Sequence, residues 1–248
     1  DPQGLAYISS QAKINLIMGS SYYVDMTHPS DMDIRGEDRI AQEIIRDVTK
    51  GVGSTGVHAG IIGEVGCSWP LTDNERKVIR ASAQAQAATG APMLIHPGRD
   101  ERAPLEILEL LSSAGANLRR TIMGHLDRTV FDRATLMRIA ESGCYLEWDL
   151  FGREQSYYQL NPKIDMPNDA QRMDDIDWIC RGGYLDKVVI GQDICTKDRL
   201  IKYGGHGYFY ILAQIVPRME RRGFSKKTID RIIVSNPAMA LAFSSPTV

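Results

Sequence analysis

The sequence predicts an α/β fold in which buried parallel strands alternate with helices that cover them. Short apolar runs recur along the 248 residues, and each is followed by a longer segment with apolar residues at three- and four-residue steps. Capping signals agree with this alternation, because Thr72 stands three residues before Glu75 as a capping box and Gly90 follows the same segment. Strands covered by helices on both faces form parallel sheets.

The strands and helices can be assigned in order along the chain. We predict six strands at residues 14–19, 60–63, 93–95, 121–124, 144–146 and 187–191. We predict helices at 39–50, 73–89, 103–114, 132–142, 170–181, 208–222 and 225–243, and residues 4–13 as the end of a helix before the first strand. A (β/α)8 barrel has eight strands. The pattern therefore predicts either an open α/β sheet or a barrel that lacks its first two units.

The composition excludes several classes of protein. The 29 basic and 31 acidic residues leave a net charge of −2, whereas a nucleic-acid surface needs a basic excess. No uncharged apolar run approaches the ~20 residues of a membrane span. The four cysteines show no CxxC spacing, so neither a disulfide framework nor a zinc ribbon is predicted. We expect a cytoplasmic globular protein with buried free thiols that binds neither nucleic acid nor membrane.

Acidic or imidazole side chains stand at the ends of four predicted strands. They are Glu64, His96, His125 and Asp193. A single residue of this kind is more often structural, but four at strand ends favour a shared site, because barrels build their active sites there. Imidazole and carboxylate suit zinc, iron or manganese, so a metal site is the leading hypothesis. Asp127 is interpreted as a helix cap, with a hydrogen bond to substrate as the alternative. Glu147 and Asp149 are expected to pair with loop cations.

Four segments resemble the phosphotriesterase-related proteins, a group within the amidohydrolase superfamily of metal-dependent (β/α)8 barrels. They read GIIGEVGCSWPLTDNERKVIRASAQAQAATGAPMLIHPGR, TIMGHLDR, CYLEWDLFG and DICTKDRLIKYGGHGY. The likeness runs from about Asp1 to Asn236. It implies a TIM barrel in which strands 3–8 are present and the first two units are missing. Residues 1–248 then form one partial hydrolase domain.

The resemblance also implies the roles of the strand-end residues. Glu64 would bridge two divalent metal ions, with zinc as the default metal, and His96 and His125 would bind the more exposed ion. Asp193 would bind the buried ion and act as the catalytic proton acceptor. The family's HxH pair is absent, because no two of the five histidines are two residues apart. The buried ion would therefore keep too few protein ligands for a stable zinc.

The resemblance implies a hydrolase, and the loops suggest its substrate. A hydroxide shared by the metals would attack an ester, lactone, amide or phosphoester. Tyr23 is a candidate for orienting the substrate carbonyl, with packing at the barrel rim as the alternative. Lys197, Arg199 and Lys202 form a cationic loop that suits an anionic small molecule. A solvated charge cluster is the alternative for these three residues.

Other functions stay open. The missing HxH pair favours a non-catalytic ligand-binding homologue or an inactive fragment. A Schiff-base lyase or aldolase would need a strand-end lysine, and no predicted strand ends in one. A barrel lacking two units would expose sheet edges, so we expect the chain to associate, with a homodimer as the simplest case.

Overall fold

The computed structural model describes residues 1–154 and 157–247. Its residues group into two units. The first unit comprises Asp1–Gly98, Arg102–Met123 and Ala240–Val248, and the second comprises Arg99–Glu101 and Gly124–Met239. Among the described residues, no helix is both long enough and apolar enough to cross a membrane.

The first unit contains four strands and four α-helices. The strands are β1 (Gly19–Ser20), β2 (Ile61–Gly66), β3 (Met93–His96) and β4 (Thr121–Met123), and each pairs in parallel with the next. The helices are α1 (Pro2–Ala12), α2 (Glu37–Thr49), α3 (Asp73–Thr89) and α4 (Ala103–Ser113). Successive parallel strands are joined by helices, as their chain connectivity requires.

The predicted capping box is confirmed at the start of α3. The Thr72 side chain accepts from the Glu75 backbone N–H, and the Glu75 carboxylate accepts from the Thr72 backbone N–H. Glu75 is fully buried and also accepts backbone N–H bonds from Asp25 and Ser68. One side chain therefore caps the helix and holds two loops of the first unit.

The second unit contains two parallel strands and the remaining helices. Strand β5 (Tyr145–Trp148) pairs with β6 (Val188–Ile190), with Leu146 opposite Val188. The α-helices are α5 (Leu126–Thr129), α6 (Arg133–Glu141), α7 (Asp169–Ile179), α8 (Val216–Arg221), α9 (Lys226–Asp230) and α10 (Asn236–Ala240). Five-residue π-helical segments follow α7, precede α8 and join α9 to α10.

The predicted strand over residues 14–19 is wrong for most of its length. Only Gly19 and Ser20 pair with β2, and Ile14, Leu16 and Ile17 are 52%, 40% and 48% exposed. An apolar run alone does not show that a neighbouring strand pairs with it. The other five strands lie within three residues of their predicted bounds.

Two further expectations need correction. Cys67 and Cys144 are buried and Cys180 is half-buried, but Cys195 is exposed. The expectation of buried thiols is therefore wrong at Cys195. Glu64 does not end its strand, because β2 continues to Gly66. The register against β3 shifts between Ile62 and Val65. Such a bulge re-aims side chains, and Glu64 lies within it.

Candidate metal centre

Glu64 and His96 lie side by side in the first unit. The bulge in β2 carries Glu64, and His96 is the last residue of β3. Oε1 of Glu64 is 3.5 Å from Nδ1 of His96. The His96 side chain is 5% exposed and that of Glu64 is 30% exposed. A carboxylate in the last three residues of β2 and an imidazole at the end of β3 are thus presented together.

Tyr23 contacts the same imidazole. Its hydroxyl lies 3.1 Å from Nδ1 and 3.3 Å from Nε2 of His96, and the two rings meet edge to face with centroids 4.8 Å apart. Nε2 of His28 lies 2.7 Å from the Tyr23 carbonyl oxygen. Sequence reasoning gave His28 no role, and the structure shows that it holds the Tyr23 loop.

His125 is oriented by Asp149 in the second unit. Nδ1 of His125 lies 2.8 Å from Oδ1 of Asp149, and the His125 backbone N–H donates to Oδ2 at 3.2 Å. Both residues are buried. Because the carboxylate accepts, Nδ1 carries the proton and Nε2 keeps its lone pair for a metal ion. Sequence reasoning expected Asp149 to pair with loop cations and missed this contact.

A buried ion network lies behind His125. Oδ2 of Asp127 accepts from the Leu150 backbone N–H at 3.0 Å and from Nε of Arg172 at 2.8 Å, and Arg172 also donates to Asp169. Burial raises the pKa of Asp127 to about 6, and the Asp149 charge adds to this rise while Arg172 opposes it. The interpretation of Asp127 as a cap is wrong, since His125 is the N-cap residue of α5 and Asp127 is an ion-pair partner.

Asp193 and Arg199 contact each other in the loop after β6. Nη1 of Arg199 donates to the carbonyl oxygen of Gln192 at 3.0 Å and to the carbonyl oxygen of Asp193. The same nitrogen lies 3.5 Å from Oδ2 of the Asp193 carboxylate. The Arg199 side chain is 13% exposed. The two lysines of the predicted cationic loop differ from Arg199, because the ammonium groups of Lys197 and Lys202 are exposed and lie over the Tyr203 ring.

The donor set fits a metal ion. Glu64 and His96 of the first unit and His125 of the second offer one carboxylate and two imidazoles, a candidate donor set for a metal ion among the described residues. Zinc takes both ligand types in catalytic sites. Asp193, the fourth residue that the sequence suggested as a ligand, is not a member of this group.

Comparisons with known proteins agree with these observations. A family model described as "Phosphotriesterase family" matches residues 1–241. The chain is 49% identical to the phosphotriesterase-related protein of Nematostella vectensis, covering 97% of this chain and 69% of the relative. It is 44% identical to the N-acetyltaurine hydrolase of Mus musculus, and the match covers 98% of this chain and 70% of that relative. The solved structure of a resiniferatoxin-binding protein from Rhodobacter sphaeroides superposes on this chain with a TM-score of 0.92 at 30% identity. The superposition covers 97% of this chain and 67% of that protein. The chain therefore belongs to the phosphotriesterase family, and it is a hydrolase like the curated relatives that it matches.

Proposed function

We propose that this chain is a binuclear metal-dependent hydrolase that cleaves an amide, ester, lactone or phosphoester of a small anionic molecule. The observation that carries the proposal is the donor set of Glu64, His96 and His125, one carboxylate and two imidazoles that suit a divalent ion. Zinc is the metal that we propose, and we retain the assignment of the six strands as strands 3–8 of the barrel.

Each residue has a distinct part in this proposal. Glu64 would help to hold both ions, and His96 and His125 would hold the more exposed one. When bound, the ions would polarise the scissile bond and lower the pKa of the attacking water. Asp193 would help to hold the second ion, and its carboxylate would take the proton from the attacking water and return it to the leaving group. Asp149 fixes the tautomer of His125 through its 2.8 Å contact.

Substrate contacts come from two loops in the proposal. The Tyr23 hydroxyl, beside His96, orients the carbonyl or phosphoryl oxygen. Lys197, Arg199 and Lys202 supply positive charge for an anionic substrate. Curated relatives at 43–45% identity are named N-acetyltaurine hydrolase, which favours an N-acyl amide over a lactone or a phosphoester.

A ligand-binding homologue without catalysis is the second candidate. A solved relative at 30% identity is named for binding resiniferatoxin, and this favours the candidate. Binding of a small anionic ligand with no turnover would support this candidate over the hydrolase.

The two candidates are separated by a hydrolysis assay on the full chain with zinc added. We expect acetate release from N-acetyl-2-aminoethanesulfonate that stops when a chelator removes the metal. In Asp193→Asn, kcat should fall by about 10²–10⁴, the usual contribution of a general acid–base. Asp186→Asn is the matched control, since Asp186 is an exposed partner of Arg231. Equal rates in both variants, or hydrolysis that survives chelation, would contradict the proposed mechanism.

A further inference from the structure

A cavity of about 550 Å³ lies within the second unit. Its volume falls in the range of small-molecule sites, about 300–1,000 Å³. Its polar lining includes Arg153, Glu154, Gln192, Thr196, Asp198, Arg199 and His206. Arg199 lines this cavity and also contacts Asp193, the proposed catalytic residue, through the same guanidinium group.

The position of Arg199 is fixed from both ends. Its carbonyl oxygen accepts from the Gly207 N–H at 2.9 Å, and a Cβ on Gly205 would come within 2.1 Å of its backbone. Only glycine therefore allows this turn to wrap around Arg199. At the other end, Nη1 is bound to the carbonyl oxygens of Gln192 and Asp193.

The second guanidinium nitrogen is left for a ligand. Nη2 of Arg199 is buried and has no hydrogen-bond partner among the residues that the structure describes. A buried donor without a partner costs about 1–3 kcal/mol. An anion accepting from Nη2 would remove that cost, and Nη1 already holds the guanidinium in place.

The charges around the cavity select the kind of anion. Two cations, Arg153 and Arg199, line the cavity together with two carboxylates, Glu154 and Asp198. A hydrogen bond from Thr196 lowers the pKa of Asp198, and the charges of Arg199 and Arg153 add to this. Asp198 therefore stays ionised at neutral pH. Because these charges offset each other, a phosphate dianion gains little net attraction, and taking it out of water costs more than for a ligand with one negative charge.

We propose that this cavity seats the single negative charge of the substrate, a sulfonate or a carboxylate, on Nη2 of Arg199. This inference deepens the proposed function and rests on it for the reaction at the metal. In this inference Arg199, rather than the exposed Lys197 and Lys202, binds the anionic group of the substrate. Substrates with a terminal phosphate are disfavoured.

The test measures binding of ligands that have no scissile bond. Ethanesulfonate, propanoate, ethyl phosphate and neutral propanamide are titrated into the zinc-loaded full chain and followed by saturation-transfer NMR. We expect ethanesulfonate or propanoate to bind most tightly, and the tighter of the two identifies the substrate's anionic group. Arg199→Gln should weaken this binding by about tenfold or more, the effect of losing one charge-assisted hydrogen bond.

The control and a second variant make the result decisive. Arg181→Gln removes the same charge from a side chain that is 80% exposed on the second unit, and it should leave binding unchanged. Arg199→Lys keeps the charge but not the forked geometry, so an intermediate affinity is expected; it is used alone if the glutamine variant does not fold. Unchanged anion binding in the Arg199 variants, or tightest binding of ethyl phosphate, overturns the inference.

Parallel assays of acetate release distinguish the two proposals. If anion binding depends on Arg199 but no N-acetyl compound is hydrolysed, the proposed function is contradicted and anion binding by Arg199 stands. If an N-acetyl compound is hydrolysed but anion binding does not depend on Arg199, the inference about Arg199 is contradicted and the proposed function stands.

Discussion

At the scale of single residues, the proposed metal centre depends on side chains that are not themselves proposed as ligands. Asp149 decides which nitrogen of His125 carries the proton, because the buried carboxylate accepts from Nδ1 at 2.8 Å. The sequence shows only an acidic residue after the fifth predicted strand. Neither spacing nor composition indicates that its partner is a histidine 24 residues earlier.

Replacing this carboxylate should weaken metal binding without removing a ligand. In Asp149→Asn we expect zinc affinity to fall by about 10- to 100-fold, the usual effect of losing a hydrogen-bond partner behind a metal-bound histidine. Competition with a chromophoric chelator measures the affinity. Asp177→Asn, at a 41% exposed partner of Arg181, should bind zinc as the wild type does. Wild-type affinity in Asp149→Asn would show that Asp149 does not support a metal ligand.

At the scale of elements, glycine in β2 allows the Tyr23 loop to pass close to the strand. A Cβ on Gly66 would lie 2.3 Å from the Tyr23 carbonyl carbon and 2.3 Å from the Val24 nitrogen. Gly66→Ala must therefore push away the loop that brings the Tyr23 hydroxyl to His96. The Gly66 backbone N–H also donates to the Tyr22 carbonyl oxygen at 3.0 Å.

We expect Gly66→Ala to lower the free energy of unfolding by about 1–3 kcal/mol, the usual cost of overpacking. Urea denaturation measures it. Gly36→Ala is the control, because a Cβ on Gly36 meets nothing within 4 Å, and its effect should stay within about 0.5 kcal/mol. Similar stabilities of the two variants would contradict the close approach of this loop.

The segment that carries His206 is anchored to α7 by a tyrosine. The Tyr210 ring stacks on His206 with centroids 4.2 Å apart, and its hydroxyl donates to Oδ2 of Asp169 at 2.7 Å. Burial, and then the Asp169 carboxylate, raise the pKa of Tyr210 from 10.0 to about 12. The folded state therefore holds this proton more tightly than the unfolded state does.

This pKa shift predicts a stability difference that depends on pH. The stabilisation by Tyr210 is fully present below pH 10 and is lost as pH rises from 10 towards 12. At pH 8, Tyr210→Phe should be less stable by about 1 kcal/mol, the net value of one hydrogen bond. The gap between variant and wild type should narrow above pH 10, as measured by urea denaturation. A gap that widens over that range would contradict the assigned hydrogen bond.

At the scale of the whole molecule, periodicity predicted most elements, because buried strands and amphipathic helices leave regular apolar patterns. The bounds of α3 were predicted to the residue, since its capping box and its C-terminal glycine are both local signals. The run at 14–19 failed because strand pairing depends on a neighbour that lies far away in the sequence. The strand-end pattern suggested Glu64, His96 and His125, and the family resemblance then implied their roles. Asp149, His28 and the orientation of Arg199 depend on tertiary contacts instead.

The proposed metal centre is tested most directly by the zinc content of the full chain, measured by elemental analysis after dialysis. We predict bound zinc in the wild type and its loss in His125→Ala, while His58→Ala keeps it. His58 is a suitable control. Among the contacts described for it, its Nδ1 contacts a backbone carbonyl oxygen, that of Val48. Zinc retained in His125→Ala at the wild-type level, or no zinc in the wild type, would contradict the proposed metal centre.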